Sequence, residues 1–402
     1  MDAFVARQPI FDRKKALFAY ELLFRDGLSN FVPNIDGDVA TSSLLSSSFF
    51  TIGIEQITGG RKAFINFTES LILQEVPLLF PCEKTVVEVL ENVRPLETVL
   101  LALRKMSEKG YLLALDDFIF QDSLQPMIQL ADVIKIDFRQ TPIAEIQNLL
   151  NSNQLKNKKL LAEKVETIGE FNHACEMGFE YFQGYFFCKP EIIKGKGISS
   201  SGIGLLRILA EVNKQDFSFE VIDKMVATDL SISYKLLRYI NSPFFKTRNE
   251  ITSIKQALVF LGESNLRRFI SLITLSKIGA DKPNELIRNS CIRARFCELV
   301  GGVSGCAEAP DVLFTLGLFS NIDAILDRPM TEIMSHLPLS ETIITALVDN
   351  AGPLSAYLEL IKTYEKGDWN PIPKLANLIC ITEEVIPSLY QEACNWSNAL
   401  AC

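Results

Sequence analysis

Eight short apolar runs, most of them separated by stretches of helical periodicity, fill the chain as far as Pro190 and then stop. The runs are Val5–Ile10, Leu17–Phe24, Ala63–Phe67, Thr85–Leu90, Leu112–Leu115, Val133–Ile136, Leu160–Ala162 and Tyr181–Phe187. Eight strands with intervening helices predict a (β/α)8 barrel. The first two runs are separated only by residues 12–16, too few for a helical crossover, so they should form an antiparallel hairpin.

Past Pro190 the pattern changes. Residues 193–204, with Gly-Lys-Gly-Ile-Ser-Ser-Ser-Gly, read as a linker. From Leu205 on there is amphipathic helical spacing, as in Val221, Met225 and Leu230 or Leu258, Leu261 and Leu266, and no strand signal. The expected organisation is α/β plus all-α: a barrel over 1–192 and a helical domain over 205–395. At 402 residues the chain is long enough for two cores. A net charge of −9 argues against general nucleic-acid or anionic-membrane binding. Nine cysteines without a CxxC pair, no secretory leader pattern and no apolar run of membrane length point to the cytoplasm.

The polar residues of the first half gather where strands end. Glu21, Asn66, Glu88, Asp116, Asp117, Lys135, Asp137, Glu163 and Gln183 all stand in or just past the apolar runs. In a barrel of parallel strands those ends open onto one face, which carries the active site. Carboxylates crowded there repel one another, and a divalent cation is the economical remedy. Oxygen-only donors suit Mg²⁺ or Mn²⁺ better than Zn²⁺. Adjacent aspartates suit a two-metal centre built around an attacking water, with a lysine to stabilise developing charge.

In order along the chain these segments resemble the EAL family. Gln8-Pro9-Ile10 is similar to its opening strand, and Glu21-Leu22-Leu23-Phe24-Arg25 to its EALxR motif with leucine for alanine. Asn66, the pair Glu88 and Glu91, Asp116-Asp117-Phe118, Lys135-Ile136-Asp137, Ala162-Glu163-Lys164-Val165-Glu166 and Gln183-Gly184-Tyr185 with Lys189-Pro190 follow in register. The resemblance implies hydrolysis of cyclic di-GMP to linear pGpG. It implies that Glu21, Asn66, Glu88 and Asp116 hold one metal, and that Asp116 with Asp117 reaches a second. Lys135 and Glu163 would orient or activate water, with Gln183 assisting. Gln8, Arg25 and Asp137 would lie on the substrate side, Arg25 gripping a phosphate and Asp137 also bracing Lys135. Glu91 would anchor the loop after Asp117 or cap a helix.

Two segments depart from the family pattern. Residues 118–124 lack the loop glycines, and Lys164 replaces the glycine after Glu163. They keep open a second reading, an effector that binds cyclic di-GMP or a protein and signals through its helical half.

That half resembles the HDOD family, through Asn241-Ser242-Pro243-Phe244-Phe245, Ile251-Thr252-Ser253-Ile254 and Gln256–Gly262. The related HD hydrolases carry a metal-binding His-Asp pair where this chain reads Ser320-Asn321. The chain has two histidines, His173 and His336, and only the latter lies in this half, too few for an HD-type centre. No cofactor is expected here; the resemblance implies a regulatory or output module with a protein partner, and it allows a homodimer.

Overall fold

The computed structural model describes residues 4–25, 54–116, 121–151, 155–188, 254–304 and 310–400, with 209–210, 212–213, 236 and 240. The Asn241–Phe245 motif and the helical spacing at Val221–Leu230 lie outside them. Two compact units divide the chain: Met1–Phe187 with Thr363–Pro371, and Cys188–Lys362 with Ile372–Cys402.

Eight strands close the first unit into a barrel in chain order. They are β1 (Phe4–Asp12), β2 (Leu17–Arg25), β3 (Lys62–Phe67), β4 (Thr85–Val89), β5 (Leu112–Leu115), β6 (Val133–Asp137), β7 (Lys159–Glu163) and β8 (Tyr181–Gln183). The expected hairpin is present. Asp12 builds its turn, accepting the amides of Lys14 and Ala16 at 2.8 and 2.9 Å, while Lys15 takes the left-handed conformation at φ 59°. β1 is antiparallel to β2 and also to β8, whereas the other neighbours pair in parallel. One reversed strand therefore closes an otherwise parallel barrel. Helices such as Glu97–Glu108 and Ile168–Glu176 cover it, the latter opened by a capping box between Thr167 and Glu170.

Thr363–Pro371 belongs to this unit although it comes from far along the chain. Tyr364 donates its hydroxyl to the Val5 carbonyl at 3.4 Å and meets Trp369 edge-to-face at 5.2 Å.

In the second unit every described element is helical. The helix Asn284–Ser304 runs against Pro310–Phe319 and Ile386–Leu400 and buries Leu286, Ile292, Phe296 and Val300. Phe314 meets Trp396 and Phe296 meets Tyr390, both edge-to-face. The helix Ile254–Ile278 carries the expected Leu261 and Leu266 spacing but bends at Gly262, whose φ of 68° leaves the helical region. No helix among the described residues is long and apolar enough to cross a membrane.

Candidate active site

Strand alternation builds the site on an apolar floor. Ala19, Phe64, Val86, Ala114, Val133, Leu161 and Tyr181, with Ile10 from β1, pack as one layer across the barrel. Two residues beyond the first seven come Glu21, Asn66, Glu88, Asp116, Lys135, Glu163 and Gln183. A period of two returns each to the inner face, about 6.6 Å further along the strand. β1 runs the other way, so its member lies two residues earlier: Gln8, paired in register with Glu21.

Lys135 stands at the centre of this layer, 1% exposed. Its ammonium lies 2.5 Å from Glu163 Oε1, 2.8 Å from Asp116 Oδ1 and 3.4 Å from Glu21 Oε2, and it also pairs with Glu88 Oε1. Burial favours loss of its proton, but the four carboxylates overcome that and hold it well above the usual lysine range. Two of the acids feel the opposite balance. Burial, with the Glu21 charge beside it, pushes the Glu88 carboxyl well above its ordinary value against the pull of Lys135. Burial likewise pushes Glu163 up to about 8, with Asp116 and Glu21 adding and Lys135 opposing.

Three amides complete the ring. Asn66 donates to Glu21 Oε1 at 3.1 Å. Gln183 donates to Glu21 Oε2 at 2.7 Å and to Gln8 Oε1 at 2.8 Å, while Gln8 donates onward to the Lys366 carbonyl at 3.0 Å. Lys366 has no motif around it, and no sequence signal points to its part.

Glu21, Glu88 and Glu163 each offer an oxygen within 4.8 Å of the others. Glu88 Oε2, Asn66 Oδ1 and Gln183 Oε1 are buried without a hydrogen-bond partner. A buried acceptor left unsatisfied costs about 1–3 kcal/mol. Three of them, one within the acidic triad and two beside it, fit a hard divalent cation, whose ligands are oxygens of this kind.

The remaining candidates divide. Asp137, on the same face as Lys135 and one pleat further out, makes no hydrogen bond to it. Asp137 Oδ1 instead accepts the amides of Arg139 and Gln140 at 2.7 and 3.1 Å, and Oδ2 meets the Lys164 ammonium at 2.5 Å. Although burial opposes ionisation, these contacts hold the Asp137 carboxyl below its ordinary value. Glu91 is exposed on the wall of a cavity of about 590 Å³ that also touches Asp116 and Gln121. Of the loop it is expected to anchor, Gln121, Ser123 and Leu124 line the same cavity, whereas residues 117–120, with the Asp117 carboxylate, and the Arg25 side chain lie outside the described residues.

Gly184 follows Gln183 at φ 146°, and a Cβ there would stand 2.0 Å from the Val165 carbonyl oxygen. The bare backbone lets Val165 donate to the Gln183 carbonyl at 3.0 Å, which ties the ends of β7 and β8 together.

In the second unit, the position of the missing His-Asp pair is filled by neutral polar groups. Asn321 Oδ1 accepts from the Arg293 guanidinium at 2.9 Å, and its Nδ2 donates to Asn289 at 2.8 Å and Ser290 at 3.2 Å. Arg293 also reaches Ser320 at 3.3 Å and is 3% exposed. A fixed guanidinium thus supplies the positive charge in this core. Gly317 lets the helix backbone at Arg293 pack close, since a Cβ there would stand 2.3 Å from the Arg293 carbonyl oxygen.

The EAL domain family matches residues 48–190 and the HDOD domain family residues 204–332. YuxH of Bacillus subtilis (strain 168) is 36% identical over 408 residues, covering 100% of this chain and 99% of its own. The cyclic di-GMP phosphodiesterase CdgJ of Vibrio cholerae is 36% identical over 398 residues, covering 98% and 92%. A solved EAL domain protein from Listeria monocytogenes EGD-e is 22% identical with a TM-score of 0.39, covering 46% of this chain and 87% of that one. With relatives this similar from end to end, the chain belongs to the family of YuxH and CdgJ, an EAL domain followed by an HDOD domain.

Proposed function

We propose that the barrel hydrolyses one phosphodiester of cyclic di-GMP to give linear pGpG, and that the HDOD half is a non-catalytic output module. The observation that carries this is the buried ring of oxygen donors with three unpartnered acceptors, in a chain 36% identical throughout to a cyclic di-GMP phosphodiesterase.

Glu21, Asn66, Glu88 and Asp116, joined by Asp117, would hold Mg²⁺ or Mn²⁺. When bound, the cation pair supplies Lewis acidity toward phosphate and an acidified water. The residues of the chain do the rest. Glu163, at the end of β7 beside Lys135, accepts the proton of the attacking water once bound cations hold it in its ionised form. Lys135, 2.5 Å away, keeps a positive charge beside the negative charge that develops on the phosphoryl oxygens. Gln183, fixed between Gln8 and Glu21, orients the water, and Arg25 grips a substrate phosphate. The same reading places the protein in the cytoplasm with an HDOD half that engages a protein partner, and it allows a homodimer.

The test is incubation of the purified full chain with cyclic di-GMP and Mg²⁺ or Mn²⁺, separating pGpG by chromatography. Formation of pGpG that stops on chelation supports the reading, and intact substrate with both metals defeats it. The effector reading draws on one observation, Lys164 seated on Asp137 in place of the family glycine. It predicts cyclic di-GMP binding in Ca²⁺ without pGpG in Mg²⁺ or Mn²⁺.

A further inference from the structure

Lys164 holds the backbone at φ 55°, the left-handed region, immediately after Glu163. A lysine gains nothing there from its own backbone, and such strain, where it persists, is held by the surrounding structure. Its ammonium contact at 2.5 Å with Asp137 Oδ2 shows what the conformation achieves.

Strand alternation locates that contact. Val133 lies in the apolar floor, Lys135 in the donor ring above it, and Asp137 one pleat further out on the same face. Asp137 is 3% exposed, and its other oxygen is fixed by two backbone amides, so it is a rigid seat. The Lys164 side chain, 47% exposed, therefore stands on the rim of the barrel mouth, above the acidic ring and open to solvent. An anionic ligand descending toward four carboxylates meets this ammonium on its way.

The geometry points to Lys164 as a binding residue for a phosphate group of the cyclic dinucleotide, held in reach by Asp137. This deepens the proposed function and rests on it. Ammonium and phosphate make a charge-assisted hydrogen bond, roughly twice as strong as a neutral one. The contact would set affinity and not move protons.

The test compares the full-length wild type with Lys164→Gly and Lys164→Arg by calorimetry with cyclic di-GMP in Ca²⁺, and by thermal melting. For Lys164→Gly the expected result is a Kd raised about tenfold, the loss of one charged hydrogen-bond partner. Its salt dependence should weaken, and its melting temperature should not fall, because glycine accepts this φ without strain. Lys164→Arg should keep most of the affinity. Wild-type binding with an unchanged Kd in Lys164→Gly overturns the assignment alone. A Lys164→Gly protein that melts lower with unchanged Kd shows a purely structural ion pair and overturns it as well. A wild type that neither binds nor cleaves the nucleotide overturns the proposed function, and this inference with it.

Discussion

Glu163 presents Oε1 to the Lys135 ammonium at 2.5 Å, both side chains buried in the donor ring. Even so close to a cation its carboxyl is pushed up to about 8, because burial outweighs the attraction. The folded chain therefore keeps a proton that the unfolded chain releases near the ordinary glutamate value. The contribution of Glu163 to metal-free stability is expected to be greatest below that value and to decline as pH rises toward 8. Melting of chelated protein between pH 5 and 9 checks this, and a flat or rising profile opposes it.

Removing the cation is the harsher perturbation. Lys135→Met leaves Glu21, Glu88, Asp116 and Glu163 without their shared counter-charge. Breaking a buried pair from one side costs about 3–5 kcal/mol. The loss is expected in full at pH 8 without metal and to shrink at pH 5, where protons replace the lysine. Denaturant unfolding at the two pH values measures it, and equal losses would contradict the account.

Asp116 separates metal chemistry from architecture. Asp116→Asn keeps the shape and removes a charge, and hydrolysis should fall about 10³-fold, or about 4 kcal/mol of barrier. Without metal the variant should melt no lower than wild type, since repulsion within the ring is relieved. Turnover equal to wild type would remove Asp116 from the metal site, and a much lower metal-free melting temperature would make it a structural residue.

Gly184→Ala should fail for a different reason. Its Cβ would meet the Val165 backbone at 2.0 Å, so the ends of β7 and β8 must part. A loss of about 4 kcal/mol or more is expected, in the range kept for severe core clashes. Circular dichroism melting of the full chain reads it, and a normal melting temperature would mean that the two strand ends can separate freely.

In the second unit, Asn321→Leu strips the buried Arg293 guanidinium of an acceptor at 2.9 Å. The expected cost is about 1–3 kcal/mol, without any gain or loss of bound metal. Chemical denaturation together with metal analysis of the washed protein tests both halves of the statement.

The ring was readable because each strand repeats one device, an inward apolar residue followed two positions later by a donor, as in Phe64 and Asn66 or Val86 and Glu88. Period two and motif order are local properties, and local properties survive in a sequence. The contacts of Asp137 were not legible. Its spacing places it on the face of Lys135, but its partner is the lysine after the next strand, and only strand pairing brings them together. Gln8 was readable as a motif but not as a link, because its second partner is a backbone carbonyl at Lys366, and a carbonyl leaves no mark of residue type. Ser320-Asn321 announced a missing metal pair, yet nothing nearby named Arg293 as the charge that takes its place.

The barrel unit is discontinuous: its last strand ends at Gln183, but its last segment ends at Pro371. Translation delivers that segment about 190 residues after β8, a delay of roughly 10–40 s at ordinary elongation rates. Until then the nascent barrel lacks the carbonyl that seats Gln8 and the tyrosine hydroxyl bound to Val5. Order of synthesis and order of completion therefore differ. A gene shortened just past the strands would encode every donor of the ring, yet produce a barrel still waiting for its final piece.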